Sequence, residues 1–229
     1  MPDATLTAVP EGTARLIALP GVYRPQDDTW LLAEALGNER LGPEDKVLEI
    51  GAGTGALALR AAARGAEVTA TDVSWRAVIS TRVNALRQRR TLRVLHGDFA
   101  ARAHGRRFDL VLANPPYVPS PGPWPPSHGA ARAWDAGSDG REIIDRICER
   151  APGLLSEGGI LLLVHSGMCG TGATLRHLAR AGLDAAVTRR AVVPWGPVLR
   201  SRRDWLRSEG IPGSSDAWEE LVIIRAQRL

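Results

Sequence analysis

Residues 46–63 constrain the fold of this chain more than any other stretch. Lys46–Ile50 (KVLEI) is a short β-rich run, Gly51-Ala52-Gly53-Thr54-Gly55 interrupts it, and residues 57–63 have the composition of a helix. Strand, glycine turn, helix is the opening unit of a doubly wound sheet. Glycines at 51 and 53 let backbone approach a ligand closely, where a Cβ would stand in the way. An ordinary βα connection produces such a turn too, so its weight comes from its neighbours. Residues 67–71 (EVTAT) read as a second strand that delivers Asp72 at its tip, 21 positions after Gly51. An acid there suits the two hydroxyls of a ribose through charge-assisted hydrogen bonds. Its structural alternative is to cap the helix predicted over 75–86, a task Ser74 can also perform.

The alternation continues along the chain. Residues 92–96 read as a third strand, with His96 as a strand-end histidine, and Gly97-Asp98-Phe99 follows. The Asp98–Phe99 pair either sets a carboxylate on an adenine amino group and a ring against the base, or is a surface turn. Phe108–Ala113 is the fourth strand. A helix is expected over 140–155, and a continuous apolar strand over 159–165 (GILLLVH) reads as buried on both faces. Then come a helix over 171–182 and strands over 183–193 and 218–226. Upstream, 30–36 reads as an amphipathic helix with Asp27, Asp28 and Thr29 as N-capping oxygens. Two consecutive strands at the C-terminus, without a helix between them, predict an antiparallel pair. The expected fold is therefore α/β: a Rossmann-like, seven-stranded, mostly parallel sheet with helices on both faces and an antiparallel C-terminal edge pair. Without a repeat or a linker, residues 1–229 read as a single domain. It has a lead-in over 1–20, a substrate-side loop over 118–139 and an irregular insertion over 194–216. The loop is too long for a mere connector and carries Trp124, His128 and Trp134, so it reads as a substrate lid.

The fourth strand ends in the run FDLVLANPPY, residues 108–117. A carboxamide or exocyclic amino nitrogen is a poor nucleophile because its lone pair is delocalised. A site helps by accepting hydrogen bonds from both N–H groups, which aims the lone pair at an electrophile. Asn114 offers a side-chain carbonyl and Pro115 a main-chain carbonyl, while two prolines fix φ and remove backbone donors. Tyr117 supplies a flat wall for a planar group. A proline-terminated strand would account for Pro115 and Pro116 but not for the Asn and Tyr beside them. The chemistry expected is methyl transfer to a nitrogen, with Asn114, Pro115 and Tyr117 at its centre.

Composition excludes other classes. Of 229 residues, 44% are hydrophobic and 24% charged, as in a soluble globular protein. No apolar run reaches the roughly 18 residues of a membrane span, and the N-terminus lacks a secretory pattern, so a cytoplasmic protein without membrane contact is expected. Cys148 and Cys169 are too few for a disulfide framework, and no Cys/His cluster has metal-ligand spacing. The formal charge is +4, carried by arginine with Lys46 as the only lysine. Its clusters suit RNA or solvated helix faces, and the second reading is preferred because base-stacking aromatics are not interleaved with them.

These segments together resemble class I S-adenosylmethionine-dependent methyltransferases. Within that class the chain is similar to the HemK-type release-factor glutamine methyltransferases, especially their short archaeal and eukaryotic branch. The resemblance is carried by VYRPQDDT (22–29), VLEIGAGTG (47–55), TD (71–72), GDF (97–99), NPPY (114–117) and AWDAGSDGREIIDR (133–146). It implies that Thr29, Glu49, Gly51, Gly53, Asp72, Asp98, Phe99 and Asn114 contact the cofactor. Asn114, Pro115 and Tyr117 would hold a substrate amide, with Pro116 and Trp134 on the substrate side. The implied acceptor is a protein such as a release factor, and members of the branch commonly work with a small zinc-ribbon activator subunit. The chain departs from the bacterial pattern in having no N-terminal helical domain, and from the short branch in residues 194–216. NPPY also occurs in enzymes that methylate exocyclic amino groups of DNA or RNA. That reading stays open, as does a small-molecule N-methyltransferase. An NAD-dependent oxidoreductase could use the same glycine turn and Asp72 but leaves residues 114–117 unexplained.

Overall fold

A computed structural model describes residues 16–122, 124, 126, 129–211 and 217–229. Most of the expected lead-in, His128 and the end of the expected insertion at 212–216 lie outside the described residues.

Seven strands build one sheet: β1 (Lys46–Ile50), β2 (Glu67–Asp72), β3 (Arg93–His96), β4 (Phe108–Ala113), β5 (Leu155–Ser166), β6 (Leu183–Pro194) and β7 (Trp218–Arg228). Their order is β3-β2-β1-β4-β5-β7-β6. The first five strands run parallel, and β7 is antiparallel to both β5 and β6. The expected antiparallel pair is present, with the last strand lying inside it rather than at the rim. Burial explains that placement. In β7 Leu221, Val222, Ile223 and Ile224 are all buried, whereas β6 alternates between covered and exposed residues as an edge strand does.

Helices α1 (Asp27–Asn38), α2 (Ala56–Ala63), α3 (Trp75–Arg87), α4 (Phe99–Arg102), α5 (Glu142–Leu154) and α6 (Thr171–Arg180) pack around the sheet. Consecutive buried residues in β1 (Val47 to Ile50) and late β5 (Leu161 to Ser166) mean that both sheet faces are covered. Among the described residues no helix is long and apolar enough to cross a membrane, and no group of three His, Cys, Asp or Glu residues could hold a metal ion. Both cysteines are free and buried.

Three boundaries differ from expectation. Helix α1 begins at Asp27, with Gln26 as an N-cap that makes no side-chain hydrogen bond. Asp27, Asp28 and Thr29 therefore belong to its first turn instead of capping it. Asp28 in particular is drawn inward by tyrosine hydroxyls. Strand β5 starts at Leu155, so it absorbs the end of the helix expected over 140–155. The expected irregular insertion contains two short helices, α7 (Pro197–Ser201), with proline in its first turn, and α8 (Arg203–Ser208). They close over a second, small core of Trp195, Leu199 and Leu206.

Candidate active site

The parallel strands deliver their C-terminal ends to one rim of the sheet, where open α/β folds bind ligands. There the glycine turn after β1, Asp72 at the tip of β2 and the Asn114–Tyr117 run after β4 meet residues 20–29. They enclose a cleft of about 310 Å³. Thr29, Glu49, Gly51, Gly53 and Asp72 line it, and so do Asn114, Pro115, Pro116, Tyr117 and Trp134. Asp98 and Phe99 are not brought to its lining. Asp98 instead opens α4, accepting from the Ala100 N–H at 3.0 Å, and pairs with Arg146 at 2.8 Å. Phe99 is buried in the core, with the Arg146 guanidinium 5.6 Å from its ring centre.

On the cofactor side, Gly51 and Gly53 have φ values of +72° and +55°, which only glycine takes without strain. The turn is tied to the neighbouring strand. The Gly53 N–H donates to Asp72 Oδ2 at 2.9 Å, and the Ser74 N–H donates to Oδ1 at 2.8 Å. Burial raises the Asp72 carboxyl above its ordinary range, against the pull of these two N–H groups and of the Arg132 charge. Glu49 is buried and accepts from the Ala58 N–H at 3.0 Å. Burial pushes its carboxyl up to about 8; the Ala58 N–H opposes this and the nearby Asp72 charge reinforces it. Two acids held high by desolvation make a floor suited to a ligand that brings positive charge and hydroxyl donors. The turn's bare backbone, the ribose-type acid and the buried Glu49 thus fit a nucleoside cofactor with a cationic end.

The acceptor side is organised by Asp28, a residue whose sequence position suits a helix cap. Its carboxylate is 4% exposed and accepts four hydrogen bonds. Tyr23 Oη donates to Oδ2 at 2.8 Å and Tyr117 Oη to the same oxygen at 3.0 Å, while the Thr29 N–H and hydroxyl donate to Oδ1. Burial, reinforced by the Asp28 charge, raises both phenols and keeps them protonated donors. With its proton committed to Asp28, the Thr29 hydroxyl must accept from the group facing it, which is Asn114 Nδ2 at 3.2 Å. The amide orientation follows from that chain. Asn114 turns its NH₂ to Thr29 and keeps its carbonyl oxygen for a donor in the cleft. Only an acid and a tyrosine five residues apart (Asp28 and Tyr23) hint at this network in the sequence.

Behind the motif lies the 134–140 segment. Gly140 has φ +72°, and a Cβ there would come 2.3 Å from the Tyr117 carbonyl oxygen, so backbone packs directly on backbone. Cys169 Sγ donates to the same carbonyl at 3.1 Å. Glu219 joins the site with no signal in its sequence neighbourhood. The antiparallel course of β7 carries this acid, 8% exposed, to the cleft end of the sheet. Burial lifts its carboxyl to about 7, opposed by a Ser166 hydrogen bond and helped by the charges of Asp28 and Asp27.

The methyltransferase small domain family matches residues 13–121. A putative protein N5-glutamine methyltransferase of Methanocaldococcus jannaschii is 32% identical over 181 residues, covering 79% of this chain and 90% of that protein. The release factor glutamine methyltransferase of Deinococcus radiodurans is 38% identical over 148 residues, and the match covers 62% of this chain and 52% of that longer protein. Among solved structures, the E. cuniculi Mtq2–Trm112 complex, responsible for methylation of the eRF1 translation termination factor, superposes with a TM-score of 0.62 at 22% identity. That match covers 91% of this chain and 99% of the other.

Proposed function

The chain belongs to the HemK-type branch of the S-adenosylmethionine-dependent methyltransferases, and on that premise we propose that it methylates the side-chain amide nitrogen of a glutamine in a protein, a translation release factor being the expected acceptor. The observation that carries this reading is the Asp28–Thr29–Asn114 relay, which presents the Asn114 carbonyl to the cleft beside Pro115. S-adenosylmethionine supplies an electrophilic methyl on a sulfonium. The chain supplies the rest. Gly51 and Gly53 give the backbone cradle, Asp72 takes the ribose hydroxyls, Glu49 faces the cationic end, and Thr29 and Asn114 border both halves of the cleft. Asp98 and Phe99 belong at the base end of that cofactor, where Asp98 has to leave Arg146 to take an amino group.

The two N–H groups of an acceptor amide donate to Asn114 Oδ1 and to the Pro115 carbonyl. That aims the nitrogen lone pair, and the pinned Tyr117 ring, Pro116 and Trp134 wall in the planar group. Alignment of this kind contributes up to roughly 7–11 kcal/mol. The methylated cationic amide is acidic enough to shed its proton to water, so no strong base is required. Residues 1–229 act as one methyltransferase domain in this reading, working in the cytoplasm where release factors act. A small activator subunit, as in the E. cuniculi complex, has an apolar surface available on α3, where Trp75, Ile79 and Leu86 are exposed beside β3, the edge strand of the sheet among the described residues.

Incubation with methyl-labelled cofactor and the release factor of the same source, with and without its activator, tests the reading. Label mapped to the glutamine of a Gly-Gly-Gln loop is expected. Label confined to RNA, DNA or a small metabolite overturns the substrate and leaves the chemistry.

A further inference from the structure

The segment that leaves the Asn114–Tyr117 motif and the α7–α8 unit lie far apart in sequence and interlock in space. Trp195, Leu199 and Leu206 are buried together, and Val118, the residue after Tyr117, packs on them with Met168 and Trp205. Between the two helices stands Arg202. Its Nη1 donates to the Pro119 carbonyl at 2.9 Å and lies 2.6 Å from Asp135 Oδ1, an ionic contact made off the N–H axis. Both side chains are largely buried, at 18% and 10% exposure.

Pro119 and Asp135 belong to opposite legs of one loop. The Val118 N–H donates to the Trp134 carbonyl at 2.7 Å, Ala136 N–H to the Val118 carbonyl at 3.1 Å, and Ser120 N–H to the Gly137 carbonyl at 2.9 Å. Arg202 therefore grips the outgoing and the returning leg at once, one residue past Trp134 on the return and three past Pro116 on the way out. Around it, Arg200 Nε donates to the Trp195 carbonyl at 2.6 Å, and the Arg203 guanidinium lies 5.7 Å from the Trp195 ring centre. A desolvated guanidinium is costly unless both partners stay in register. This makes the contact a fixed latch rather than a surface pair.

We propose that the α7–α8 unit is a clamp on the acceptor side of the cleft, with Arg202 as the positioning residue that fixes residues 118–120 and 134–137, and with them the Pro116 and Trp134 walls, to receive a segment of the protein acceptor. The acceptor half of this inference rests on the function proposed above; the clamp itself does not. A wall built in advance spares the ordering cost of binding, so it lowers KM for a bulky acceptor without touching the donor side.

Two variants test it: Arg202→Lys, which keeps the charge and loses the planar fork, and Asp135→Asn with Arg202→Met, which removes both charges together. Native-state hydrogen exchange at Val118, Ser120 and Ala136 should speed up at least about tenfold in both. Acceptor kcat/KM should fall roughly 10- to 100-fold, mainly through KM, with cofactor Kd within about twofold of the parent. Unchanged exchange at those three amides overturns the clamp, as does a loss shared equally by cofactor binding. The exchange arm needs no acceptor. If the parent enzyme leaves the release factor unmethylated, the acceptor assignment falls while exchange still decides the clamp.

Discussion

Asp28 shows how one side chain can set the geometry of another it never touches. Its four donors leave it no spare lone pair on the cleft side, and Thr29 passes its orientation to Asn114. In Asp28→Asn one oxygen becomes an NH₂, which must face either the two tyrosine hydroxyls or the Thr29 donors. Loss of charge-assisted bonds of this kind is worth about 1.5–3 kcal/mol, so kcat should fall roughly 10- to 100-fold. Cofactor affinity should stay close to that of the parent. Asn114→Ala should abolish turnover with cofactor affinity again retained, whereas Asp72→Ala should weaken cofactor binding by about 1.5–3 kcal/mol. Calorimetry beside steady-state rates separates the three; equal losses of cofactor binding would refute the division. The sequence conveys Asn114, Asp72 and the glycine turn because each announces itself within a few neighbours. It conceals Asp28 because one of its partners, Tyr117, is 89 residues away and an acid at a helix start suits a cap equally well. Glu49 allows a different test. Its folded carboxyl sits at about 8 against an ordinary 4.5. The folded chain thus keeps a proton that the unfolded chain loses, and the group's contribution to stability falls as pH rises through that window. A cationic ligand favours the ionised form, so cofactor binding at pH 7 should release close to one proton. Calorimetry in buffers of different ionisation heat should find that release, and should find it gone in Glu49→Gln and above about pH 9.

At the scale of elements, the Asn114–Tyr117 run is only as firm as what stands behind it. Gly140 and Gly105 share φ +72°, but a Cβ at Gly140 meets the Tyr117 carbonyl at 2.3 Å while one at Gly105 meets nothing within 4 Å. Alanine at either position carries the same backbone strain, so the difference between the two isolates the contact. Gly140→Ala should cost about 1–3 kcal/mol more than Gly105→Ala, a further drop of about 2–4 °C in Tm for each kcal/mol in a chain of this size. Activity should fall only in the former. Equal melting shifts and intact activity would mean that the Tyr117 backbone can move freely. Strands β1, β2 and β4 are legible because each couples an apolar run to an abrupt stop in Gly, Asp or Asn. The threading of β7 between β5 and β6 is not, since strand order depends on which faces the helices cover. Nor are α7 and α8: their anchors Trp195, Leu199 and Leu206 are separated by arginines that read as a solvated stretch, and only the tertiary contact with Val118 makes them a core.

Across the whole molecule, much of the positive charge is spent internally. Arg189 pairs with Glu34, Arg225 with Glu39, Arg190 with Glu220, Arg141 with Asp145 and Arg202 with Asp135. Arginines 64, 82, 102, 107 and 228 donate to backbone carbonyls. A net charge of +4 therefore describes a chain that uses guanidinium as a fastener, more than one that displays a phosphate-binding face. Arg87, Arg89 and Arg90, at and just past the end of α3, form an exposed cluster. Salt separates the two uses. A protein that neutralises six phosphates on a duplex loses about 0.9 in log K per contact for each tenfold rise in salt, hence roughly 10³-fold in affinity between 50 and 200 mM. For a protein acceptor, with exposed pairs worth little, kcat/KM should change by less than about threefold over the same range. A steep slope abolished by replacing Arg87, Arg89 and Arg90 would return the acceptor to nucleic acid. A shallow one leaves the glutamine amide as the nitrogen that Asn114 is oriented to receive.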